Sequence, residues 1–188
     1  SPRLANERLQ IAKMIGKLVK KKKNASVLVL FSGVAPFPIV IAKYAKPKHI
    51  TSIELGKDCK KYAIENIYLN KVGDIVEHIQ GDVNKVLPKL AKGRLSVKGN
   101  LVPLHFDVIV MPRPNLKDTF LKAALGVAKK GTEIIYYGFF PEAKKDKMVE
   151  DLVKEAKKYK RKLKIVRVLE AGNIAPYEHR YRVEMKVE

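Results

Sequence analysis

The fold is decided by residues 26–43, SVLVLFSGVAPFPIVIAK. The apolar run Ser26–Phe31 is typical of a strand that is buried on both faces. A short turn that contains Gly33 follows, and apolar residues then continue at helical spacing from Phe37 to Ala45. Strand, glycine turn and helix in this order predict the first unit of an open parallel sheet, in which ligand sites form at the carboxyl ends of the strands.

The same alternation of apolar runs and amphipathic stretches continues along the chain. Further strands are predicted at His49–Glu54, Ile75–Gln80, Phe106–Met111, Thr132–Phe139, Lys164–Leu169 and Arg180–Val187. Further helices are predicted at Asp58–Leu69, Val83–Leu90, Leu116–Lys129 and Lys144–Lys160, with Gly131 placed to end the third of these. The pattern predicts an α/β fold with a doubly wound, mainly parallel sheet whose last strands form an antiparallel hairpin.

Two segments lie outside this alternation. Residues Arg3–Lys22 read as an extra N-terminal helix, so we expect a helical extension over about residues 1–24. The connection Ala91–His105 contains two glycines and a proline, which suggests a surface hairpin or a lid. The length of 188 residues suits one domain spanning 1–188.

The composition limits the kinds of partner that the protein can have. Lys and Arg number 39 against 19 Asp and Glu, a net charge of +20 that favours a polyanion such as nucleic acid. The alternative is a lysine-rich surface that only keeps the protein in solution. The single cysteine, Cys59, fits a reducing, cytoplasmic setting, and the scattered His49, His78 and His105 give no metal-ligand spacing. We expect no membrane segment, because no apolar stretch reaches about 18 residues.

Three residues at predicted strand ends suggest a nucleoside site. Gly33 would let the backbone pass close to a ligand. Glu54, which ends the second strand, has the position from which a carboxylate can bind both hydroxyls of a ribose. Asp82 follows the third strand, where it could meet the amine of an adenine. The turn lacks the glycine pattern of a dinucleotide site and the Lys-Ser/Thr of a P-loop, so a nucleoside with a small polar tail is favoured.

Six strings in order along the chain carry a family resemblance. They are SPRLANER (1–8), VLFSGVAPFPIVIAK (29–43), ENIYLNKV (65–72), GDV (81–83), IIYYG (134–138) and AP (175–176). Together they resemble the catalytic domain of the archaeal and eukaryotic tRNA (guanine-37-N1)-methyltransferases. The resemblance implies a class I methyltransferase fold, a Rossmann-like sheet, with S-adenosylmethionine as cofactor and tRNA as substrate. The implied cofactor-binding residues are Phe31, Ser32, Gly33, Val34, Ala35, Pro36, Phe37, Glu54, Leu55, Asp82, Val83, Met111 and Pro112.

The resemblance also implies roles in catalysis and in RNA binding. Glu7 takes the place of the general base that removes the guanine N1 proton, while Arg3 and Arg8 help to hold the target base. Arg3 and Glu7 are four residues apart and so share a helical face, although a local salt bridge would explain the spacing as well. The candidate RNA-binding residues are Lys20, Lys21, Lys22, Lys23, Arg113, Lys117, Tyr177, His179 and Arg180.

The sequence departs from the family pattern at four places, which keeps two alternatives open. Val29 replaces an acidic residue, Ala35 a glycine and Ile135 a histidine, while Met111–Asn115 replaces an Asn-x-Pro segment beside the methyl donor. One alternative is another reaction from the same cofactor, such as transfer of an aminocarboxypropyl group, or attack on a different RNA atom. The other is a methyltransferase fold that binds RNA or a partner without catalysis. The family usually carries further RNA-binding domains before the PRL-x-x-ER helix. We therefore expect either that this chain is the catalytic domain of a longer protein, or that it is a minimal form that relies on its own charge or on a partner protein.

Overall fold

The computed structural model describes residues 4–93, 96–97, 100–114, 116–175 and 178–188. Within these residues, the largest element is a seven-stranded sheet. Its strands are β1 (Ser26–Leu30), β2 (His49–Glu54), β3 (Val76–Gln80), β6 (Phe106–Met111), β7 (Ala128–Pro141), β8 (Leu163–Ala175) and β9 (Glu178–Val187). The strand order is β3-β2-β1-β6-β7-β9-β8. The first five strands of this order run parallel, whereas β9 lies antiparallel to both β7 and β8. The predicted doubly wound, mainly parallel sheet with an antiparallel C-terminal hairpin is confirmed.

Helices cover the sheet on both faces. They are α1 (Ala5–Lys21), α2 (Pro36–Tyr44), α3 (Lys57–Leu69), α4 (Val83–Ala91), α5 (Leu121–Gly126) and α6 (Lys145–Lys158), with a 3-10 turn at Glu142–Lys144. The apolar sides of α1, α2 and α3 share one buried cluster with alternate residues of the strands, and those of α4, α5 and α6 share the other. Strand β1, which lies between β2 and β6, is buried at all five residues, as its continuous apolar sequence predicted. None of the helices in the described ranges combines the length and the apolar character needed to cross a bilayer.

The helix predicted at Leu116–Lys129 is wrong over most of its length. Phe120 has a φ of 58°, which a helix cannot contain, and α5 spans only Leu121–Gly126. The side chains of Asp118 and Thr119 accept hydrogen bonds from the N–H groups of Phe120 and Leu121. Such local bonds compete with a helix over these residues and favour its beginning after them.

The strand that follows begins four residues earlier than predicted. Ala128 already pairs with Phe106, and a register irregularity separates this pair from the pair Val108–Glu133. Gly131 therefore lies inside β7, with a φ of +89°, and does not end a helix. In the sequence, the two lysines and the glycine at 129–131 resemble a turn. They nevertheless belong to the strand, because strand residues near a register irregularity need not alternate between apolar and polar.

The two segments outside the alternation contain a helix and a pair of short strands. The extra N-terminal helix is α1, and it buries Ile11 and Ile15. The connection before β6 contains two short strands, β4 (Ser96–Val97) and β5 (Asn100–Leu101), which pair antiparallel as a hairpin. Both α1 and the carboxyl ends of the parallel strands contribute to the site described next.

Candidate active site

The loop after β1 has an unusual backbone. Phe31, Gly33 and Ala35 have φ angles of 53°, 53° and 70°, in the left-handed region that disfavours residues with a Cβ. A Cβ built on Gly33 would meet no atom within 4 Å, so the glycine serves the backbone conformation of this loop. Ala35 is completely buried and precedes Pro36 at the first turn of α2. The loop is therefore held in a strained shape, which is common at functional sites.

The Glu54 side chain fixes this loop to its neighbour. One carboxylate oxygen accepts the N–H of Gly33 at 2.8 Å, and the other accepts the N–H of Gly56 at 2.8 Å. The Glu54 carbonyl oxygen accepts the N–H of Gly81, also at 2.8 Å. Through one residue, the loops that follow β1, β2 and β3 are joined at the same edge of the sheet.

A buried polar chain supports the same loop from below. The Ser52 hydroxyl donates to the Ser32 hydroxyl at 2.8 Å and lies 3.1 Å from His78 Nδ1. Ser32 also donates to the carbonyl oxygen of Ile53. Burial lowers the pKa of His78, which favours the neutral imidazole as a member of this chain. This contact could not be predicted from the sequence, because Ser52 and His78 lie on different strands, β2 and β3.

A cavity of about 320 Å³ opens over the joined loops. It is lined by Phe31, Glu54, Leu55, Asp82, Val83, Pro112, Pro114, Leu116 and Phe120. The rings of Phe31 and Phe120 meet edge to face at 4.8 Å. Asp82 caps α4 by accepting the N–H of Asn84 at 2.9 Å, so its carboxylate is held at the cavity wall. The site thus combines two fixed carboxylates with apolar walls.

A second, smaller cavity of about 160 Å³ adjoins the first through Pro112. Its lining residues are Leu4, Phe37, Pro112, Arg113, Tyr137, Phe139 and Arg180. Three of them are aromatic and two are arginines, a combination that suits a planar, polar ring system. The centroids of the Phe37 and Tyr137 rings lie 6.2 Å apart.

Glu7 lies beside the second cavity, because one of its bonding partners, Tyr137, forms part of the cavity wall. Its Oε2 atom accepts the Tyr137 hydroxyl at 2.8 Å and Arg182 Nη1 at 2.8 Å. Burial, and then the adjacent Glu7 carboxylate, raise the pKa of Tyr137 far above its usual value, so the phenol keeps its proton and remains a donor. The carboxylate is thus a partly buried, oriented acceptor near the beginning of α1.

The comparison with protein-family models gives a match over most of the chain. Residues 1–166 match the model described as the TRM5/TYW2 methyltransferase domain. The chain belongs to this family. The match includes the loop after β1, Glu54, Asp82 and the α1 residue Glu7, and it confirms the family resemblance seen in the sequence.

Relatives within the TRM5/TYW2 family differ in the group that they transfer. The tRNA (guanine(37)-N(1))-methyltransferase Trm5b of Pyrococcus abyssi is 30% identical over 188 residues, which are 100% of this chain and 49% of Trm5b. The tRNA(Phe) (4-demethylwyosine(37)-C(7)) aminocarboxypropyltransferase of Pyrococcus horikoshii is 30% identical over 142 residues, 76% of this chain and 44% of that protein. The chain spans about half the length of Trm5b.

A solved member of the family shares the whole fold. The crystal structure of M. jannaschii TYW2 in complex with AdoMet superposes with a TM-score of 0.80 at 26% identity, and the match covers 100% of this chain and 77% of that one. The class I methyltransferase fold predicted from the sequence is therefore confirmed.

The predicted cofactor residues fall into two groups. Those that line the larger cavity are Phe31, Glu54, Leu55, Asp82, Val83 and Pro112. The others support the cavity or lie apart from it. Gly33 donates its N–H to Glu54, and Ser32 and Ala35 are buried members of the same loop. Pro36 begins α2, Phe37 lines the second cavity, and Met111 is buried in β6. Val34 is 40% exposed, and its carbonyl oxygen accepts a hydrogen bond from Asn66.

Three lining residues were missed, namely Pro114, Leu116 and Phe120. The last two were placed in the helix wrongly predicted from residue 116, which hid the fact that this segment is a loop over the site. Tyr137 and Arg182 were also missed as partners of Glu7. Among the predicted residues, Arg3, Asn115 and Tyr177 lie outside the described ranges, and Arg8 is partly buried on α1.

Several predicted RNA-binding cations already have partners within the protein. Lys22 is ion-paired with Asp107, and the guanidinium of the buried Arg113 donates to the carbonyl oxygens of Leu116 and Asp118. Arg180 donates to the Ala171 carbonyl oxygen, and His179 lies 2.8 Å from Glu170. These contacts argue against Lys22 and Arg113 as direct RNA ligands, whereas Lys20, Lys21, Lys23 and Lys117 are exposed. Within the described residues, no group of three His, Cys, Asp or Glu side chains is arranged to hold a metal ion.

Proposed function

We propose that this domain binds S-adenosylmethionine in the larger cavity and transfers its methyl group to the N1 atom of a guanine at position 37 of tRNA. One observation carries the proposal: a cavity with two fixed carboxylates lies at the carboxyl ends of the parallel strands and adjoins an aromatic cavity beside Glu7. Membership of the TRM5/TYW2 family and the AdoMet complex of a relative support the choice of cofactor.

The lining residues fit the proposed cofactor. Each oxygen of Glu54 accepts one backbone N–H, and a carboxylate oxygen has a second lone pair that can accept a ribose hydroxyl. Asp82 can accept the exocyclic amine of the adenine, whose ring would lie among Phe31, Leu55 and Val83. A volume of about 320 Å³ is at the lower end of the roughly 300–1,000 Å³ range of small-molecule sites.

The residues of the second cavity would hold the target base. Phe37 and Phe139 offer rings for stacking, as proteins that bind extruded bases commonly do. S-adenosylmethionine supplies an activated methyl group on a positively charged sulfur, so the protein mainly has to align the base and remove a proton. Glu7 would take the N1 proton, and an arginine such as Arg3 or Arg8 would stabilise the charge that develops on O6.

We further propose that a tRNA is the partner and that the chain, as one catalytic domain, relies on further RNA-binding segments or on a partner protein. The net charge of +20 supports a polyanionic substrate, and the chain spans about half the length of Trm5b. Lys20, Lys21 and Lys23, at and just after the end of α1, are exposed, and we expect them to contact RNA. A substrate of this kind and the single cysteine fit a cytoplasmic site of action.

A methyl-transfer assay tests the proposal. The full-length protein is incubated with tRNA and S-adenosylmethionine labelled in the methyl group, and the modified nucleoside is identified by mass spectrometry. We expect label in 1-methylguanosine at position 37. If cofactor binding is intact by calorimetry but no label reaches RNA, the enzymatic proposal is wrong. A dissociation constant weaker than about 1 mM would instead favour a fold that binds RNA without catalysis.

A second candidate is transfer of the aminocarboxypropyl group from the same cofactor. The segment Pro112–Pro114, which differs from the family pattern, lies in the wall of the larger cavity, where it could change which carbon of the cofactor faces the base. One relative carries that activity in its name. The two reactions add different masses to the nucleoside, so the same mass spectrum distinguishes them.

A further inference from the structure

A row of polar side chains in mutual contact connects the last two strands, β8 and β9, to Glu7 on α1. Tyr137 on β7 and Arg182 on β9 lie directly opposite each other in the antiparallel register, so both project from the same face of the sheet. Glu184 is two residues further along β9 and lies opposite Arg167 on β8. The side chains of Tyr137 and Arg182 both reach Glu7 at 2.8 Å.

Arg182 is held between two carboxylates. Its Nη1 donates to Glu7 Oε2 at 2.8 Å and to Gln10 Oε1 at 3.1 Å. Its Nε lies 3.0 Å from Glu184 Oε1, and Arg167 Nε pairs with Glu184 Oε2 at 3.1 Å. The side chain of Arg182 is only 3% exposed and that of Glu184 only 7%, whereas that of Arg167 is 54% exposed. Water screens the outer pair but hardly reaches the inner one.

Burying Arg182 and Glu184 costs hydration free energy, and apolar side chains would attach α1 to the sheet without this cost. Buried ion pairs contribute little net stability, because the loss of hydration offsets the attraction, and apolar side chains of similar size often do as well. A buried arginine between two carboxylates therefore calls for another role. Its position, in contact with a carboxylate beside the aromatic cavity, suggests that role.

We propose that Arg182 is a positioning residue that aims Glu7 at the target base, and that Glu184 balances the charge of Arg182 so that Glu7 can accept a proton. The inference rests on the proposed function, in which Glu7 is the general base. Arg182 is not among the residues that line either cavity, so it would act only through Glu7.

The physical reason lies in the charges around Glu7. An arginine in contact with a carboxylate stabilises the ionised form and makes it a weaker base. Glu184, on the other side of the same guanidinium, opposes this effect, and the half-exposed Arg167 cancels Glu184 only in part. Glu7 contacts Tyr137 from β7 and Arg182 from β9. Arg182 in turn contacts Gln10 of α1 and Glu184 of β9, and Glu184 contacts Arg167 of β8.

The test compares two variants that remove opposite charges. The rate of single-turnover methyl transfer is measured against pH for the wild type, Arg182→Gln and Glu184→Gln. Arg182→Gln removes the positive charge that contacts the Glu7 carboxylate at 2.8 Å, so the acid limb of the profile should move to higher pH. Without Glu184, the same limb should move to lower pH, and the plateau rate should fall about tenfold because the base is weaker.

One control and one substitute variant separate a positioning role of Arg182 from general damage to the fold. Arg161→Gln removes another partly buried arginine, whose partners are the carbonyl oxygens of Leu125 and Ala128, and should leave the acid limb in place. If Arg182→Gln does not fold, Tyr137→Phe removes a donor to Glu7 while keeping the ring, and should move the limb in the same direction as Arg182→Gln would.

The outcomes distinguish this inference from the proposed function. A wild-type protein that transfers no methyl group contradicts the proposed function itself. If the wild type is active but both charge variants move the acid limb in the same direction, or neither moves it, Arg182 and Glu184 are structural and the inference is wrong. Affinity for S-adenosylmethionine should remain unchanged in all variants, because neither residue lines the cofactor cavity.

Discussion

Glu54 holds the loops after β1 and β2 together through its two carboxylate oxygens, each of which accepts a backbone N–H at 2.8 Å. In Glu54→Gln, the amide nitrogen would face one of these donors, so one bond to a charged acceptor is replaced by a repulsion. A hydrogen bond to a charged group contributes about 1.5–3 kcal/mol. We therefore expect the affinity for S-adenosylmethionine to fall about 10- to 100-fold, as measured by calorimetry. Glu65→Gln, on the exposed side of α3, is the matched control and should bind normally.

The Glu7 carboxylate should be required for the reaction but not for cofactor binding. Glu7→Gln keeps the shape of the side chain and removes the base, so the rate of methyl transfer should fall by about two to four powers of ten. Affinity for the cofactor, measured on the same preparation, should stay within about twofold. A variant that transfers methyl groups at the wild-type rate would show that Glu7 serves only as an ion-pair partner of Arg182.

The residues that sequence reasoning could identify are those with a local signal. Gly33, Glu54 and Asp82 each follow an apolar run, and parallel strands bring such positions to one edge of the sheet. The partners of Glu7 carry no such signal. Tyr137 and Arg182 lie 130 and 175 residues away along the chain, and only the antiparallel register of β7 with β9 brings them together.

At the scale of elements, prediction succeeded where burial alone decides the structure. Strands β2 and β6 have the bounds that their apolar runs gave. The helix predicted at 116–129 was wrong over residues 116–120. The side chains of Asp118 and Thr119 accept backbone N–H groups there, and the left-handed backbone of Phe120 prevents a helix before Leu121. These are short-range polar contacts, which apolar periodicity does not report.

One buried carboxylate, that of Asp107, joins three segments at the edge of the sheet where β1 begins, opposite the candidate site. Asp107 of β6 accepts the N–H of Ser26 on β1 at 2.9 Å and pairs with Lys129 of β7 at 3.0 Å and with Lys22 after α1. Asp107→Asn should lower the free energy of unfolding at pH 7 by about 1–3 kcal/mol, because the charged acceptor is lost. The loss stays moderate because both lysines are half-exposed, so water solvates their charges in the variant. Urea denaturation measures the change, and Asp74→Asn, at an exposed position, should leave stability within about 0.5 kcal/mol of the wild type.

The same carboxylate should make stability depend on pH. Burial alone would raise the pKa of Asp107, but hydrogen bonds from Lys22, the Ser26 N–H and Lys129 outweigh it and hold the pKa below its usual value. A depressed pKa in the folded state stabilises the protein above the unfolded pKa of about 3.9, and this contribution is lost as the pH falls through the folded value. The difference between wild type and Asp107→Asn should therefore shrink below about pH 4. A difference that stays constant from pH 7 to pH 3 would contradict this account.

At the scale of the whole molecule, the distribution of the charge matters more than its sum. Helix α6 carries four acidic residues among its lysines, and Lys154 lies 3.8 Å from Glu150. Helix α1 contains one acidic residue, Glu7, whose charge is taken up by Arg182. Its exposed lysines at 13, 17, 20 and 21 are spaced to lie on one face. That face belongs to the helix that carries Glu7, and it is the surface where we expect phosphates to bind.

This expectation gives a prediction with a control of equal charge. Four exposed lysines are changed to glutamine either on α1 (Lys13, Lys17, Lys20, Lys21) or on α6 (Lys147, Lys154, Lys157, Lys158). If the α1 face contacts about four phosphates of a single-stranded loop, raising salt from about 50 to about 200 mM should weaken wild-type binding to tRNA roughly 50-fold. The α1 variant should lose most of this salt dependence, because the contacts that release counterions are gone, while the α6 variant should keep it. Equal losses in both variants would mean that RNA responds only to the net charge of the protein and that α1 has no special part in binding.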